Sequence, residues 1–137
     1  MVADRLDDGV RIAQLLASEV TGNEGRLRGL AVTDADPDAE PTADGALAYR
    51  IVAETGTAGD DATVVAEVYV QPDRARIEAR AGPEAVATAA ASAGLRTRPK
   101  ATRPPRTLVF VEDGAGVKRA LTPLTALRDA VAAADSD

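Results

Sequence analysis

The chain has 137 residues, a length typical of one domain, and 22 acidic residues against 16 basic ones give it a net charge of −6. It contains neither Cys nor His, which excludes thiol nucleophiles, disulfides, imidazole catalysis and zinc sites of the usual Cys/His type. We therefore expect one α+β domain spanning residues 1–137, with no metal and no cofactor.

The N-terminal stretch is acidic and precedes no apolar segment, so we expect no secretory signal. Apolar residues recur in it at three- and four-residue spacing, namely Val2, Leu6, Val10, Ala13, Leu16 and Val20. This period predicts an amphipathic helix over about 4–21 that stops at Gly22. The longest uncharged stretch of the chain, 11 residues, is too short to span a bilayer, so we expect a cytoplasmic protein without membrane contact.

Four strand-like runs follow the first helix. Their sequences are "RLRGLAVTD", "ALAYRIVAE", "TVVAEVYVQ" and "PDRARIEAR". Apolar residues alternate in the last three, and Pro72-Asp73 predicts a turn into the fourth. Sequential strands with short connections predict an antiparallel meander.

The second half of the chain completes the predicted architecture. Gly-Pro-Glu at 82–84 has the form of a helix start and predicts a middle helix near 83–93. After a basic segment, "TLVFVE" is the most apolar strand. Thr122-Pro123 predicts a terminal helix from 123 to about 134, whereas 116–121 fits a strand or a helix. We therefore expect an antiparallel sheet of five or six strands with an N-terminal, a middle and a C-terminal helix.

The acidic stretch "DADPDAEPTADG" imitates a calcium-binding loop. Asp34, Asp36 and Asp38 occupy its first, third and fifth positions. However, Ala39 stands where the sharp turn needs Gly, and Gly45 stands where the bidentate Glu belongs. We expect a solvated loop and no metal.

The stretch "FVEDGAGVKRA" leads from a strand into a glycine-rich turn, but it matches no phosphate-binding pattern. We expect a plain turn at Asp113-Gly114. The candidate nucleophiles Ser18, Ser92 and Ser136 have no partner base by spacing. The sequence therefore predicts a protein that is not an enzyme.

The most unusual feature is "RTRPKATRPPR" at 96–106, with five cations and no carboxylate in an otherwise acidic chain. Strand alternation places its first three cations on one face, beside the arginines of 74–80 if both strands join one sheet. We therefore predict a partner-binding surface. Its residues are Arg74, Arg76, Arg80, Arg96, Arg98, Lys100, Arg103 and Arg106.

Three interpretations of this surface remain open. Nucleic acid is one partner for a cationic stripe, but affinity based on counterion release falls by decades in multi-molar salt. Arginine–carboxylate contacts are short-range and geometric, which favours an acidic protein surface or a second copy of the chain. A proline-stiffened connector, with its arginines paired to the protein's own acids, fits the segment equally well.

Scarce Lys, abundant Asp and many small side chains are typical of proteins from salt-loving archaea, and also of GC-rich genomes. The stretches "DRLDDGVRIAQLLASEV", "VYVQPDRARIEAR" and "RPKATRPPRTLVFVEDG" resemble the short acidic conserved-hypothetical proteins of haloarchaea over most of the chain. This resemblance implies a cytoplasm of high salt. It implies no site residues.

Overall fold

The computed structural model describes residues 8–22, 25, 27–54, 62–103 and 105–135. The strands are β1 (Leu30–Thr33), β2 (Ala46–Glu54), β3 (Ala62–Gln71), β4 (Arg74–Ala79), β5 (Arg96–Lys100) and β6 (Arg106–Val111). The helices are α1 (Gly9–Gly22), α2 (Pro83–Ser92), α3 (Gly114–Arg119) and α4 (Leu121–Asp135). None of these helices is long and apolar enough to cross a membrane.

The strands form one six-stranded antiparallel sheet in the order β1-β2-β3-β4-β6-β5. Strands β1 to β4 make the predicted meander. The chain then passes through α2 to the far edge of the sheet, where β5 pairs only with β6 and β6 returns beside β4. The predicted α+β fold, an antiparallel sheet of five or six strands with an N-terminal, a middle and a C-terminal helix, is confirmed, and the sheet has six strands.

The hydrophobic core lies between one face of the sheet and the helices. Inward residues of the central strands, such as Ile51, Ile77 and Val109, are buried in one apolar cluster that also contains side chains of α1 and α4. Burial of each such side chain contributes about 1.5–3 kcal/mol to folding. The start of α1 lies close to the sheet, because Gly9 has no side chain there: a Cβ on Gly9 would clash with the carbonyl oxygens of Gln71 and Arg74.

The undecided segment 116–121 is helical. Asp113 caps α3, since its Oδ1 accepts a hydrogen bond from the Gly116 N–H at 2.8 Å. The prediction of a plain turn at Asp113-Gly114 is therefore wrong. Aspartate is also a preferred residue at the start of a helix, where its carboxylate accepts from a free N–H of the first turn. The terminal helix begins at Leu121, two residues before the predicted start.

The other element boundaries agree with the sequence to within a few residues. Helix α2 begins at Pro83, as the proline predicted, and Gly94 follows it with a φ of +83°. Strand β1 is shorter than predicted. Helix α1 is described from Gly9, and the predicted residues 4–7 lie outside the described residues.

Candidate binding surface on the open face of the sheet

The face of the sheet opposite the helices, here called the open face, is charged. Its side chains come from alternate positions of five strands. They are Arg50, Glu67, Tyr69, Arg74, Arg76, Glu78, Arg80, Arg96, Arg98, Lys100, Arg106, Leu108 and Phe110. Asp34 and Glu112 reach it from the strand ends, through ion pairs to its arginines.

The open face has the opposite sign to the other described side chains of the protein. It holds eight cations and four carboxylates, whereas the other side chains that the structure describes include six cations and ten carboxylates. The net charge is thus about +4 on this face and about −4 on the rest of the described side chains. Such segregation creates a potential that attracts anionic groups to one side of the molecule.

Two glutamates lie at the centre of the open face. Glu67 on β3 is directly opposite Glu78 on β4, and their side chains are only 9% and 2% exposed. Two buried like charges destabilise a sheet unless cations compensate them. Arg106 from β6 does so, because its Nη1 lies 3.1 Å from Oε1 of Glu67 and 3.0 Å from Oε1 of Glu78.

Further cations surround this pair from both sides. Glu78 also contacts Arg76 at 3.1 Å and Lys100 at 3.2 Å. Glu67 accepts hydrogen bonds from the Tyr69 hydroxyl at 3.0 Å and from Arg50 at 3.3 Å. We call these seven side chains the central lattice: Arg50, Glu67, Tyr69, Arg76, Glu78, Lys100 and Arg106. Every buried side-chain nitrogen or oxygen of the described residues has a hydrogen-bond partner.

The central lattice shifts the pKa values of Glu67 and Tyr69. Burial alone raises the pKa of Glu67, but the hydrogen bonds from Tyr69 and Arg50 and the charges of Arg106 and Arg80 outweigh it, so the pKa is lowered. Burial also raises the pKa of the Tyr69 hydroxyl, and its hydrogen bond to Glu67 adds to that rise. Glu67 is therefore a carboxylate and Tyr69 a donor at neutral pH.

The two aromatic rings of the open face are covered by arginines. The guanidinium carbons of Arg74 and Arg96 lie 5.1 and 5.7 Å from the centre of the Phe110 ring, and both groups pair with Glu112. Arg76 similarly lies 4.9 Å from the centre of the Tyr69 ring. These are cation–π distances. A molecule that approaches the open face at Tyr69 or Phe110 therefore meets guanidinium groups before it meets the aromatic rings.

The structure places seven of the eight predicted cations on the open face and Arg103 in the loop between β5 and β6. Strand β6 separates the arginines of β4 from the cations of β5. Five of the eight form ion pairs within the chain: Arg74, Arg76, Arg96, Lys100 and Arg106. Within the segment 96–106, the pairing to the protein's own acids that the connector interpretation expected is therefore present for Arg96, Lys100 and Arg106.

Three predicted cations form the cationic rim, defined as Arg80, Arg98 and Arg103. All three are exposed, and none lies within ion-pair distance of a described carboxylate, although the charge of Arg80 acts on Glu67 from farther away. Arg80 follows the last residue of β4, and Arg103 follows β5, so both lie at the end of the sheet where β6 begins. The rim therefore offers positive charge without an ion pair, next to a lattice whose four cations each contact a carboxylate.

The basic segment also protects a sheet edge. Strand β5 is exposed along its whole length and pairs on one side only. Pro99 lacks an N–H donor, and the flanking charges disfavour pairing with another strand. Part of the composition of 96–106 follows from this position at the edge.

Sequence reasoning missed Glu67, Glu78 and Arg50. Each glutamate occurs in an alternating apolar strand, which is a signal for a charge on the outer face. The sequence did not indicate that the two glutamates face each other, because that contact depends on the register of β3 with β4.

The aspartates of the imitation calcium loop have other roles. Asp34 pairs with Arg50 at 3.2 Å, and Asp36 accepts a hydrogen bond from the Asp38 N–H at 2.9 Å. Within the described part of the chain, no group of three or more Asp, Glu, His or Cys side chains is arranged to hold a metal ion.

Comparison with known proteins gives a family and no activity. No curated protein and no solved structure matches the chain. One family model covers the whole sequence, residues 1–137. The chain therefore belongs to the family of unknown function DUF7993.

Proposed function

We propose that the protein is a binding module rather than an enzyme, and that its open face contacts the acidic surface of a partner protein. The observation that carries this proposal is the charge segregation: a face of about +4 on a molecule of −6. A folded chain with 22 acidic residues has enough carboxylates to match these cations. Nevertheless, the three arginines of the cationic rim make no ion pair with a described residue.

The geometry favours carboxylates as the ligands of the rim. Arg98 follows Arg96 by two residues on β5, so both guanidinium groups project from the open face. Guanidinium groups bind carboxylates through two parallel hydrogen bonds, which depend on short-range geometry. The central lattice supplies a rigid base beneath them, since its members are hydrogen-bonded and partly buried. A pre-ordered surface loses less entropy when it binds.

A second copy of the chain is a less favourable partner through the same face. A symmetric dimer places the same patch of both copies in contact, so the cations of each rim would face those of the other. Only the acidic side of another copy would match. We therefore propose a different acidic protein as the partner.

Nucleic acid is the second candidate. Tyr69 and Phe110 on an open sheet favour it, since aromatic side chains on a sheet stack with bases. Arginines already cover both rings, however, so bases would have to stack on guanidinium groups or displace them. The open face therefore supports this candidate less well than carboxylate binding.

We further propose that the contact forms in a cytoplasm of high salt. The excess of Asp over Lys supports this setting. Paired arginine–carboxylate contacts that are shielded from water keep part of their energy at high ionic strength. A contact whose affinity depends on counterion release loses that affinity as the salt concentration rises.

The test compares two triple variants that remove the same charge. The rim variant carries Arg80→Gln, Arg98→Gln and Arg103→Gln. The control variant carries Arg11→Gln, Arg28→Gln and Arg119→Gln, three exposed arginines outside the open face. Binding of a polyglutamate peptide and of a single-stranded oligonucleotide is measured for both and for the wild type, at about 0.1 M and about 2 M salt.

We expect the peptide to bind the wild type and the control variant alike, and the rim variant about tenfold more weakly. Three exposed contacts of a few tenths of a kcal/mol to 1 kcal/mol each give that order of loss. Equal weakening in both variants would show only a net-charge effect and contradict the proposal. Oligonucleotide binding that exceeds peptide binding, and is lost in the rim variant, would establish the nucleic-acid function instead.

A further inference from the structure

A second site lies on the other side of the sheet, away from the open face. A cleft of about 230 Å³ is bounded by the first half of α1, the strands β2 and β3, and the acidic loop, defined as residues 34–45. Its lining is largely apolar, and alanines of α1, β2 and the loop make up much of it. The small side chains leave space that larger ones would fill.

The acidic loop forms a fixed roof over this cleft. The Asp36 N–H donates to the carbonyl oxygen of Ala48 at 2.8 Å, and the Ala39 N–H donates to the carbonyl oxygen of Asp36 at 3.2 Å. The Asp38 N–H donates to the Asp36 carboxylate at 2.9 Å. At the start of the loop, the ion pair with Arg50 holds Asp34. The cleft is therefore formed before any ligand arrives, as ligand sites usually are.

The polar groups of the cleft are few, and the one charged side chain among its lining residues is a carboxylate. Among the lining residues, Gln14, Asp36 and Tyr49 have polar side chains, and none is a cation. The buried Tyr49 hydroxyl donates to the carbonyl oxygen of Ala13 at 2.7 Å, which leaves it able only to accept from a ligand. Asp36 is exposed and anionic. An apolar wall thus meets a polar margin with a carboxylate, a hydroxyl acceptor and the Gln14 amide, which can both donate and accept.

From this arrangement we propose that the cleft binds a small cationic amphiphile, a molecule with an apolar body and an ammonium head. The body lies against the alanines and valines of the wall, where transfer from water is favourable in proportion to the apolar area. The head lies near Asp36 and stays partly hydrated. This site is separate from the open face and does not depend on the partner proposed for it.

The experiment measures binding of linear alkylammonium ions from butyl to octyl by calorimetry with the full chain, below their micelle concentrations. We expect one site per chain and an affinity that rises about fourfold per methylene until the cleft is filled. Hexanol and hexanoate are measured beside hexylammonium. We expect the order ammonium, alcohol, carboxylate, from tightest to weakest.

Two variants locate the site. Ala17→Leu adds bulk to the α1 wall and is expected to weaken hexylammonium binding at least tenfold, whereas the matched Ala85→Leu on the exposed face of α2 leaves it unchanged. Asp36→Asn keeps the acceptor for the Asp38 N–H and is expected to abolish the preference for ammonium over alcohol. Absence of saturable binding would overturn the proposal. Equal binding by both Leu variants, or the same preference after Asp36→Asn, would overturn it as well.

Discussion

Arg106 and Arg98 lie on neighbouring strands of the same face but in opposite surroundings. The Arg106 side chain is 23% exposed and contacts two buried carboxylates, whereas Arg98 is exposed and makes no ion pair with a described residue. Both belong to one basic segment of eleven residues. One short segment therefore supplies an arginine to the central lattice, Arg106, and an arginine to the cationic rim, Arg98.

The difference follows from the order of the strands. Strand β6 lies between β4 and β5, so Arg106 reaches the glutamates of β3 and β4. Strand β5 lies at the edge, and Arg98 is opposite Leu108, which offers no charge. A central cation fixes the fold, while an edge cation is available to solvent or to a partner. Measurements of stability separate the two.

The largest effect is expected for Glu78→Gln in the central lattice. The substitution removes the carboxylate that Arg76 and Lys100 contact and leaves Arg106 with Glu67 alone, at a nearly buried position. Breaking a buried ion pair from one side costs about 3 kcal/mol or more. Urea unfolding at pH 7 measures the loss. The control is Glu112→Gln, a carboxylate that two arginines share but that is 40% exposed, with an expected loss below about 1 kcal/mol. Similar losses in both variants would contradict the distinction between the central lattice and the exposed ion pairs of Glu112.

A smaller effect with a defined pH dependence is expected for Glu67→Gln. We expect a loss of about 1–2 kcal/mol at pH 7, the scale of hydrogen bonds to a charged group. Because folding lowers the pKa of Glu67, its carboxylate stabilises the fold above the ordinary glutamate pKa of about 4.3. That contribution disappears as the pH falls through the lower, folded pKa. The difference between wild type and variant should therefore shrink below about pH 4, and a constant difference from pH 7 to pH 3 would refute this role.

A third, smaller effect is expected for Phe110, which lies on the open face outside the central lattice. Phe110→Leu keeps an apolar side chain but removes the ring that Arg74 and Arg96 cover. Two partly exposed cation–π contacts predict a loss of about 1 kcal/mol in the free energy of unfolding. The loss should persist in 1 M salt, unlike that of Glu112→Gln. A loss that disappears with salt would show that Glu112, rather than the ring, holds the two arginines.

Much of the fold was predictable from the sequence because local signals carry it. Alternation identified β2, β3 and β4, and the proline at 83 located the start of α2. The start of α4 was harder to predict, since α3 and α4 meet at Ala120 without a strong break signal. The role of Asp113 was also missed, because an Asp-Gly pair fits a turn and a helix cap alike.

The candidate site was predictable only in part. Seven of the eight cations of the open face were named from the sequence, because four of them are concentrated in one short segment, whereas Arg50 was missed. The sequence did not predict which of these cations form ion pairs within the chain, because that depends on the position of β6 between β4 and β5. The central glutamates were missed for the same reason: each is an isolated charge in its own strand, and only the sheet brings them together.

The smallest effect is expected for Arg98→Gln in the cationic rim. Since no described residue pairs with Arg98, its loss should change the free energy of unfolding by less than about 0.5 kcal/mol. The same substitution should weaken polyglutamate binding severalfold if the rim contacts carboxylates. A positively charged edge strand also disfavours pairing between molecules, so light scattering should be measured alongside. Unchanged stability with weaker binding and unchanged mass assigns Arg98 to a partner, whereas an increase in mass without a change in binding assigns it to edge protection.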